Sequence, residues 1–156
     1  MKDVEYNALK RRIERYSKQW RHHLGLDWWK ITYTWDRTGE ATRAHEAKYG
    51  TASESDRTAA WADSKWQYLQ SSITFNMPQM VDVKDDELSK MILHEHCHAL
   101  VNEMRPTDFK TNYADYLEHE ERVVSNLTAA FWWTWQGGRG EKAKEIAATK
   151  TKRRRT

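Results

Sequence analysis

The first clear pattern along the chain is a stripe of apolar residues spaced three and four positions apart. This period matches the 3.6 residues per turn of an α-helix, so we predict an amphipathic helix over residues 3–23. Gly25 follows where such a helix is expected to stop. Basic residues fill the other faces, and the stripe itself consists of Tyr6, Leu9, Ile13, Tyr16 and Trp20.

A two-residue period replaces the helical one in later segments and predicts short strands. The segments with this alternation are residues 29–35, 59–64 and 71–76. Pro78 ends the last of them. The region 37–57 has little periodicity, and we predict only a ragged strand over 44–51. Because short connections join these strands, we expect a small, mostly antiparallel sheet.

Helical periodicity returns in the second half of the chain. One helix is expected to begin at Asp85 or Asp86, which can cap it, and to end before Pro106. Its apolar residues cover most of its circumference, so we expect it to be the central helix of the fold. After a connection over residues 108–115, a last helix is expected from about residue 113 to 135.

The end of that last helix carries several tryptophans, followed by glycines at 137, 138 and 140 that we expect to break it. Trp132, Trp133 and Trp135 point in different directions on a helix, so at least one of them is expected to be exposed or to contact another subunit. Helices are predicted before and after the strands along the chain, which indicates an α+β fold with a small sheet. Its expected order is an N-terminal helix, a sheet, a central helix and a C-terminal helix.

Length and charge divide the chain. Its 156 residues fit one domain. The net charge is +3, but residues 139–156 contain eight Lys or Arg and two Glu, a net +6, which leaves −3 on the rest. We predict a folded domain over 1–136 and a basic, disordered tail over 137–156. Weak nucleic-acid contact is expected only through that tail.

The sequence has no signal for membrane insertion or secretion. No run of about 18 apolar residues occurs, and the N-terminal residues lack the apolar centre of a signal peptide. The single cysteine, Cys97, excludes an internal disulfide, which fits a reducing cytoplasm. Cys97 lies on an apolar stripe of its helix, so we predict a buried, structural thiol.

The strongest chemical signal is the H-E-x-x-H pattern at residues 94–98. Residues four apart lie on one face of a helix, so the imidazoles of His94 and His98 can bind one metal ion. Glu95 can then act as a general base on a metal-activated water. The pattern lies in an apolar run, where charged groups are costly without a partner. We favour a zinc site over the alternative, in which the histidines are hydrogen-bonded core residues.

A catalytic zinc ion needs one more protein ligand in addition to water. A third histidine six residues after His98 is absent, because Met104 occupies that position. The acidic segment 118–121 is therefore the expected source. Glu120 lies nearer the centre of the apolar face of its helix, so helix geometry leaves both Glu120 and Glu121 as candidates.

An H-E-x-x-H helix followed by a glutamate-bearing helix resembles the gluzincin metallopeptidases. It is most similar in form to compact phage and bacterial domains of the ImmA/IrrE and SprT-like type. The resemblance covers about residues 5–135 and is specific at the two helices. In the family pattern the ligand glutamate precedes a small residue at +4 and an apolar residue at +6. Glu121 matches with Ser125 and Leu127, so the resemblance favours Glu121 as the third ligand.

The resemblance implies a zinc metallopeptidase that acts on a protein or peptide in the cytoplasm of a bacterial or phage-infected cell. It also implies that an extended substrate pairs with the strand around residues 73–75. The chain lacks the subdomain that stabilises the oxyanion in larger relatives, and Tyr113, Tyr116 or His119 are the candidate substitutes. Glu118 and His119 are weaker ligand candidates.

Two alternative functions remain open. One is a non-catalytic protein-interaction domain that zinc stabilises. The other is an accessory protein that contacts nucleic acid through its basic tail.

Overall fold

The computed structural model describes residues 1–49, 58–102 and 113–153, and its fold is α+β, as predicted. The N-terminal helix agrees with its predicted bounds, and the three predicted strands agree to within one residue at each end. Short 3₁₀ turns at Leu26–Trp28 and Trp66–Tyr68 precede two of the strands. The elements in chain order are α1 (Asp3–His23), β1 (Lys30–Asp36), α2 (Glu40–Tyr49), β2 (Ala60–Lys65), β3 (Gln70–Asn76), α3 (Met77–Met80), α4 (Asp85–Val101) and α5 (Tyr113–Arg153).

The three strands form a mixed sheet in the order β1-β3-β2. β3 pairs in parallel with β1 and antiparallel with β2, so the prediction of a mostly antiparallel sheet is wrong. The physical reason is the long connection from β1 to β3, which contains α2 and β2 and is ample for a parallel crossover. β3 is therefore the central strand, and β1 and β2 are the two outer strands.

A helix replaces the ragged strand that the sequence predicts over residues 44–51. α2 covers residues 40–49 and so includes 44–49 of the predicted strand, while residues 50 and 51 lie outside the described part. The buried Asp36 carboxylate at the end of β1 accepts hydrogen bonds from Gly39 N and from the backbone and hydroxyl of Thr42, each at 2.8 Å. These bonds hold the pKa of Asp36 below its ordinary value although burial opposes them. Asp36 thereby anchors the start of the helix.

The predicted central position of α4 is confirmed, since α1, α5 and β2 all pack against it. Its start differs by one residue: Lys84 is the N-cap, and Asp85 is the first helical residue. The Asp85 carboxylate accepts a 2.8 Å hydrogen bond from Arg12 of α1 instead of capping the helix. Trp20 of α1 donates to the Ser89 hydroxyl at 2.9 Å. These contacts hold α4 in place against α1.

The last helix begins at Tyr113 as predicted, but it does not end near residue 135. It continues through the glycines at 137, 138 and 140 to Arg153, because glycine costs only about 1 kcal/mol in a helix and does not remove the backbone hydrogen bonds. Trp133 is exposed, whereas Trp132 and Trp135 pack on Trp20 with ring centroids 6.1 and 5.5 Å apart. The predicted exposure of at least one tryptophan is therefore confirmed.

Two other predictions concern the chain beyond the core. A connection is predicted over 108–115. Its residues 108–112 lie outside the described part of the chain, and residues 113–115 belong to α5. Within the described ranges, none of the helices combines the length and apolar character that a membrane crossing requires. The division between a domain over 1–136 and a tail over 137–156 stays a prediction.

Candidate metal centre

The histidines of the H-E-x-x-H pattern converge on one carboxylate. His94 and His98 lie one turn apart on α4, with ring centroids separated by 5.1 Å. The Nε2 atom of His94 lies 3.2 Å from Oε2 of Glu121, and the Nε2 atom of His98 lies 3.3 Å from Oε1. One ligand atom from each residue lies within 4.8 Å of the other two. These three residues therefore form a group close enough to bind one metal ion.

Glu120 and Glu121 face α4 in different ways, which separates the two candidates for the third ligand. The half-exposed Glu121 contacts the Nε2 atoms that point into the group. Glu120 is buried and contacts the opposite ring nitrogen of His98, Nδ1, at 2.8 Å. The geometry thus favours Glu121 as ligand and gives Glu120 a different role. A carboxylate bonded to the far nitrogen of a histidine fixes the orientation of the ring and raises its basicity.

The electrostatics around His98 favour positive charge. Burial alone disfavours an imidazolium, but hydrogen bonds to Glu120 and Glu121 outweigh it and raise the pKa of His98 to about 10. Burial alone would raise the pKa of Glu121, but its hydrogen bonds to His94 and His98 outweigh burial and hold that pKa far below its ordinary range. The two carboxylates therefore favour a cation at His98. A divalent ion on the Nε2 side, next to Glu121, would meet the same negative charge.

Glu95 is the unsatisfied member of the site. Its side chain is buried, and its Oε2 atom has no hydrogen-bond partner among the described residues. Burial raises the pKa of Glu95 above its ordinary value, while the nearby His98 and His94 partly oppose that rise. A buried carboxyl group without a partner is costly, and such groups are concentrated at functional sites.

The alternative reading of these histidines as core residues fits His96, which lies between the two ligand candidates in sequence. His96 is fully buried; its Nδ1–H donates to the Ile92 carbonyl at 2.7 Å. Its Nε2 accepts a hydrogen bond from the Tyr33 hydroxyl at 3.1 Å. Burial lowers the pKa of His96 to about 4, so the ring is neutral. Cys97 is buried too, and burial raises its thiol pKa to about 11, in agreement with the predicted structural role.

A cavity of about 410 Å³ opens beside Glu95 and His94. One wall is the face of α4 that leads to the histidines, another is the start of β2, and Thr128 of α5 completes it. The sequence pattern did not identify this cavity. Its α4 residues do recur at helical spacing, so they could have been found from the position of His94 on the same face. The lining residues are Ala59, Ala60, Glu87, Lys90, Met91, His94, Glu95 and Thr128.

A strand that pairs with the substrate and residues that stabilise the oxyanion are also predicted from the sequence. Residues 73–75 belong to β3, which is paired on both sides, so the prediction that a substrate pairs with this strand is wrong. His119 is exposed on α5, and its Nδ1 accepts a 2.8 Å hydrogen bond from Arg122. The side chains of Tyr113 and Tyr116 lie outside the described residues.

Comparison with known proteins gives no match: no protein-family model, curated protein or solved structure matches this chain. The chemistry of the site is therefore inferred from the side chains described above.

Proposed function

We propose that this protein is a zinc-dependent metallopeptidase, similar to a compact gluzincin, in which His94, His98 and Glu121 hold the ion. Two imidazoles and one carboxylate are a ligand set of catalytic zinc sites, which leave the fourth position to water. Ligand atoms bonded tetrahedrally at about 2.0–2.1 Å lie about 3.3 Å from one another. Glu121 lies close to this distance from each histidine, with Oε2 at 3.2 Å from His94 and Oε1 at 3.3 Å from His98. One ligand atom from each of the three residues lies within 4.8 Å of the other two.

The partner of His98 supports the same assignment. A zinc-bound histidine usually donates its other N–H to a carboxylate or a carbonyl, which aims the metal-binding nitrogen. Glu120 provides this carboxylate at 2.8 Å from Nδ1 of His98. Nε2 of His98 is then directed toward the group that contains Glu121.

The observation that carries the catalytic part of the proposal is the buried, unpartnered oxygen of Glu95. A zinc ion, when bound, polarises a peptide carbonyl and lowers the pKa of water. Glu95 accepts the proton of the attacking water as the oxygen bonds to the carbonyl carbon. It then gives that proton to the amide nitrogen as the carbon–nitrogen bond breaks. Burial favours this role, because it raises the pKa of Glu95 toward the working pH.

We infer that the substrate backbone pairs with β2 instead of β3. β2 is an outer strand of the sheet, and within the described ranges no strand pairs with its far edge. Ala60, the first residue of β2, and Ala59 just before it line the cavity next to Glu95. An extended peptide can add to such an edge through main-chain hydrogen bonds.

The non-catalytic alternative has one observation in its favour. Its ligands come from α4 and α5, so an ion held by them would cross-link the two helices. That role has no use for the buried Oε2 atom of Glu95, which lacks a partner among the described residues, and we therefore favour catalysis. Contact of the C-terminal residues with nucleic acid stays a prediction.

The test compares zinc-loaded wild type with Glu95→Gln on an unstructured protein substrate and a peptide mixture, with and without a chelator. We expect chelator-sensitive cleavage by wild type. We expect Glu95→Gln to retain its zinc and to lose activity by about 100-fold or more, the size of a general acid–base contribution. Glu118→Gln is the matched control: this glutamate is exposed on α5 and lies outside the group of His94, His98 and Glu121, so the variant should cleave like wild type. Full activity of Glu95→Gln contradicts the mechanism, and zinc-dependent stability without any cleavage supports the non-catalytic alternative.

A further inference from the structure

The cavity beside the candidate metal centre contains a lysine without a charged partner. Lys90 lies on α4 four residues before His94, which corresponds to about 6 Å along the helix axis. It lines the cavity, and its charge has no ion-pair partner in the part of the chain that the structure describes. Lys90 is exposed to solvent, and an ammonium group at the wall of a cavity can recognise an anionic group of a ligand.

The other residues of the cavity make Lys90 stand out. Ala59, Ala60 and Met91 offer small or apolar surfaces, and Thr128 is neutral. Glu87 is also charged, but it lies seven residues before His94, about 10 Å along the axis. Lys90 is therefore the charged group closest along α4 to the metal ligands, apart from Glu95 itself. Its charge acts on the part of a substrate that lies next to the reacting bond.

We propose that Lys90 binds a carboxylate of the substrate within about two residues of the scissile bond, since an extended chain advances about 3.3 Å per residue. This inference rests on the proposed peptidase function and names a substrate feature for the same site. The carboxylate has two possible sources, an Asp or Glu side chain and the free C-terminus of a short peptide. Glu87, one turn further, disfavours a second acidic group at the next position.

The alternative is that Lys90 is an ordinary solvated lysine on a helix surface. In that case the enzyme has no preference between a carboxylate and an amide of the same shape. Peptide pairs that differ only in this group separate the two possibilities. One pair carries Asp or Asn within two residues of the cleavage site. A second pair is neutral and ends two residues after that site, with a free carboxylate or an amide.

The experiment measures kcat/KM for these peptides with wild type, Lys90→Met and Lys90→Glu. We expect wild type to prefer at least one carboxylate peptide over its amide partner by about tenfold, as a hydrogen bond to a charged group implies. The ratio should fall toward one in Lys90→Met and reverse in Lys90→Glu. The pair that shows the preference identifies the source of the carboxylate. Lys18→Glu, an exposed lysine on α1, changes the net charge equally and should keep the wild-type ratio.

A binding measurement keeps this inference separate from the peptidase function. Affinities of the same peptides are measured with the zinc-loaded Glu95→Gln variant, alone and combined with Lys90→Glu. If wild type cleaves peptides but neither kcat/KM nor affinity depends on Lys90, the carboxylate site is refuted and the peptidase function stands. If nothing is cleaved but carboxylate peptides bind about tenfold more tightly through Lys90, the site stands and the peptidase function fails. Equal binding of all the peptides refutes the site.

Discussion

The replacement Glu95→Gln is expected to stabilise the zinc-free protein while it removes activity. The Glu95 side chain is buried, and its Oε2 has no partner among the described residues, so the ionised form carries a desolvation cost. Leaving a buried polar group unpaired costs about 1–3 kcal/mol, and more if it is charged. A neutral amide at the same position avoids the charge. The amide is also polar, so only the part of the cost that comes from the charge is removed. We therefore expect a gain on the order of 1 kcal/mol or more in the free energy of unfolding at pH 8, the difference between a charged and a neutral buried group without a partner.

The pH dependence of this gain has a definite sign. The folded-state pKa of Glu95 is raised above the ordinary value of 4.5, so ionisation of this group destabilises the fold as the pH rises through the folded pKa. The difference between Glu95→Gln and wild type should be smallest near pH 4.5 and largest at pH 8. Glutamine does not titrate, so its own contribution stays constant across this range.

The assay is urea unfolding in the presence of a chelator at several pH values, followed by tryptophan fluorescence. Glu118→Gln serves as the control, because this exposed glutamate should change stability by no more than about 0.5 kcal/mol. If Glu95→Gln is no more stable than wild type at pH 8, the carboxylate is satisfied in the native state. The inference that the fold keeps a costly base for catalysis is then refuted.

Three further predictions concern the neighbours of Glu95. Glu120→Gln should weaken zinc binding about 10–100-fold without abolishing it, as measured by competition with a chromophoric chelator; an unchanged affinity contradicts its role behind His98. Zinc binding at pH 7.5 should release a proton from His98, because its pKa is about 10. Calorimetry in buffers of different ionisation enthalpy measures this release, and a release of zero protons contradicts the site. Neutral His96, with a pKa of about 4 against an ordinary 6.5, contributes stability that is complete above pH 6.5 and decreases as the pH falls toward 4. Wild type should therefore lose about 3 kcal/mol more than His96→Gln over that interval, measured by urea unfolding; equal losses contradict it.

Elements with a strong local pattern could be predicted from the sequence. α1 has one apolar stripe, β1 alternates strictly, and α4 is apolar around its circumference, so short-range periodicity was sufficient for each. α2 was missed because its residues have little periodicity. Its start depends on the Asp36 carboxylate, whose hydrogen bonds to residues three and six positions away are not visible in a hydrophobic pattern.

The arrangement of the sheet could not be predicted in the same way. Strand periodicity identifies the strands but does not show which of them are neighbours. β3 lies between β1 and β2, and the connection through α2 and β2 lets it pair in parallel with β1. This arrangement removes the free edge that a substrate would need on β3 and leaves an edge on β2.

Part of the candidate site could likewise be predicted from the sequence, and part depends on tertiary packing. Helical spacing alone places His94 and His98 on one face and Glu95 next to them. The choice between Glu120 and Glu121 depends on how α5 docks on α4, since neighbouring residues on a helix point about 100° apart. The docking turns Glu121 toward both Nε2 atoms and Glu120 toward Nδ1 of His98. That information is tertiary, so the sequence left both residues open.

Metal content tests the central claim most directly. Wild type, Glu121→Ala and the double variant His94→Ala/His98→Ala are first purified without added zinc. Each is then equilibrated with one equivalent of zinc, dialysed and analysed by elemental mass spectrometry. We predict about one zinc per chain in wild type and a loss of the metal in both variants, in agreement with two histidines and a carboxylate as ligands. Wild-type protein that takes up no zinc, or variants that retain it fully, would contradict the proposed metal centre.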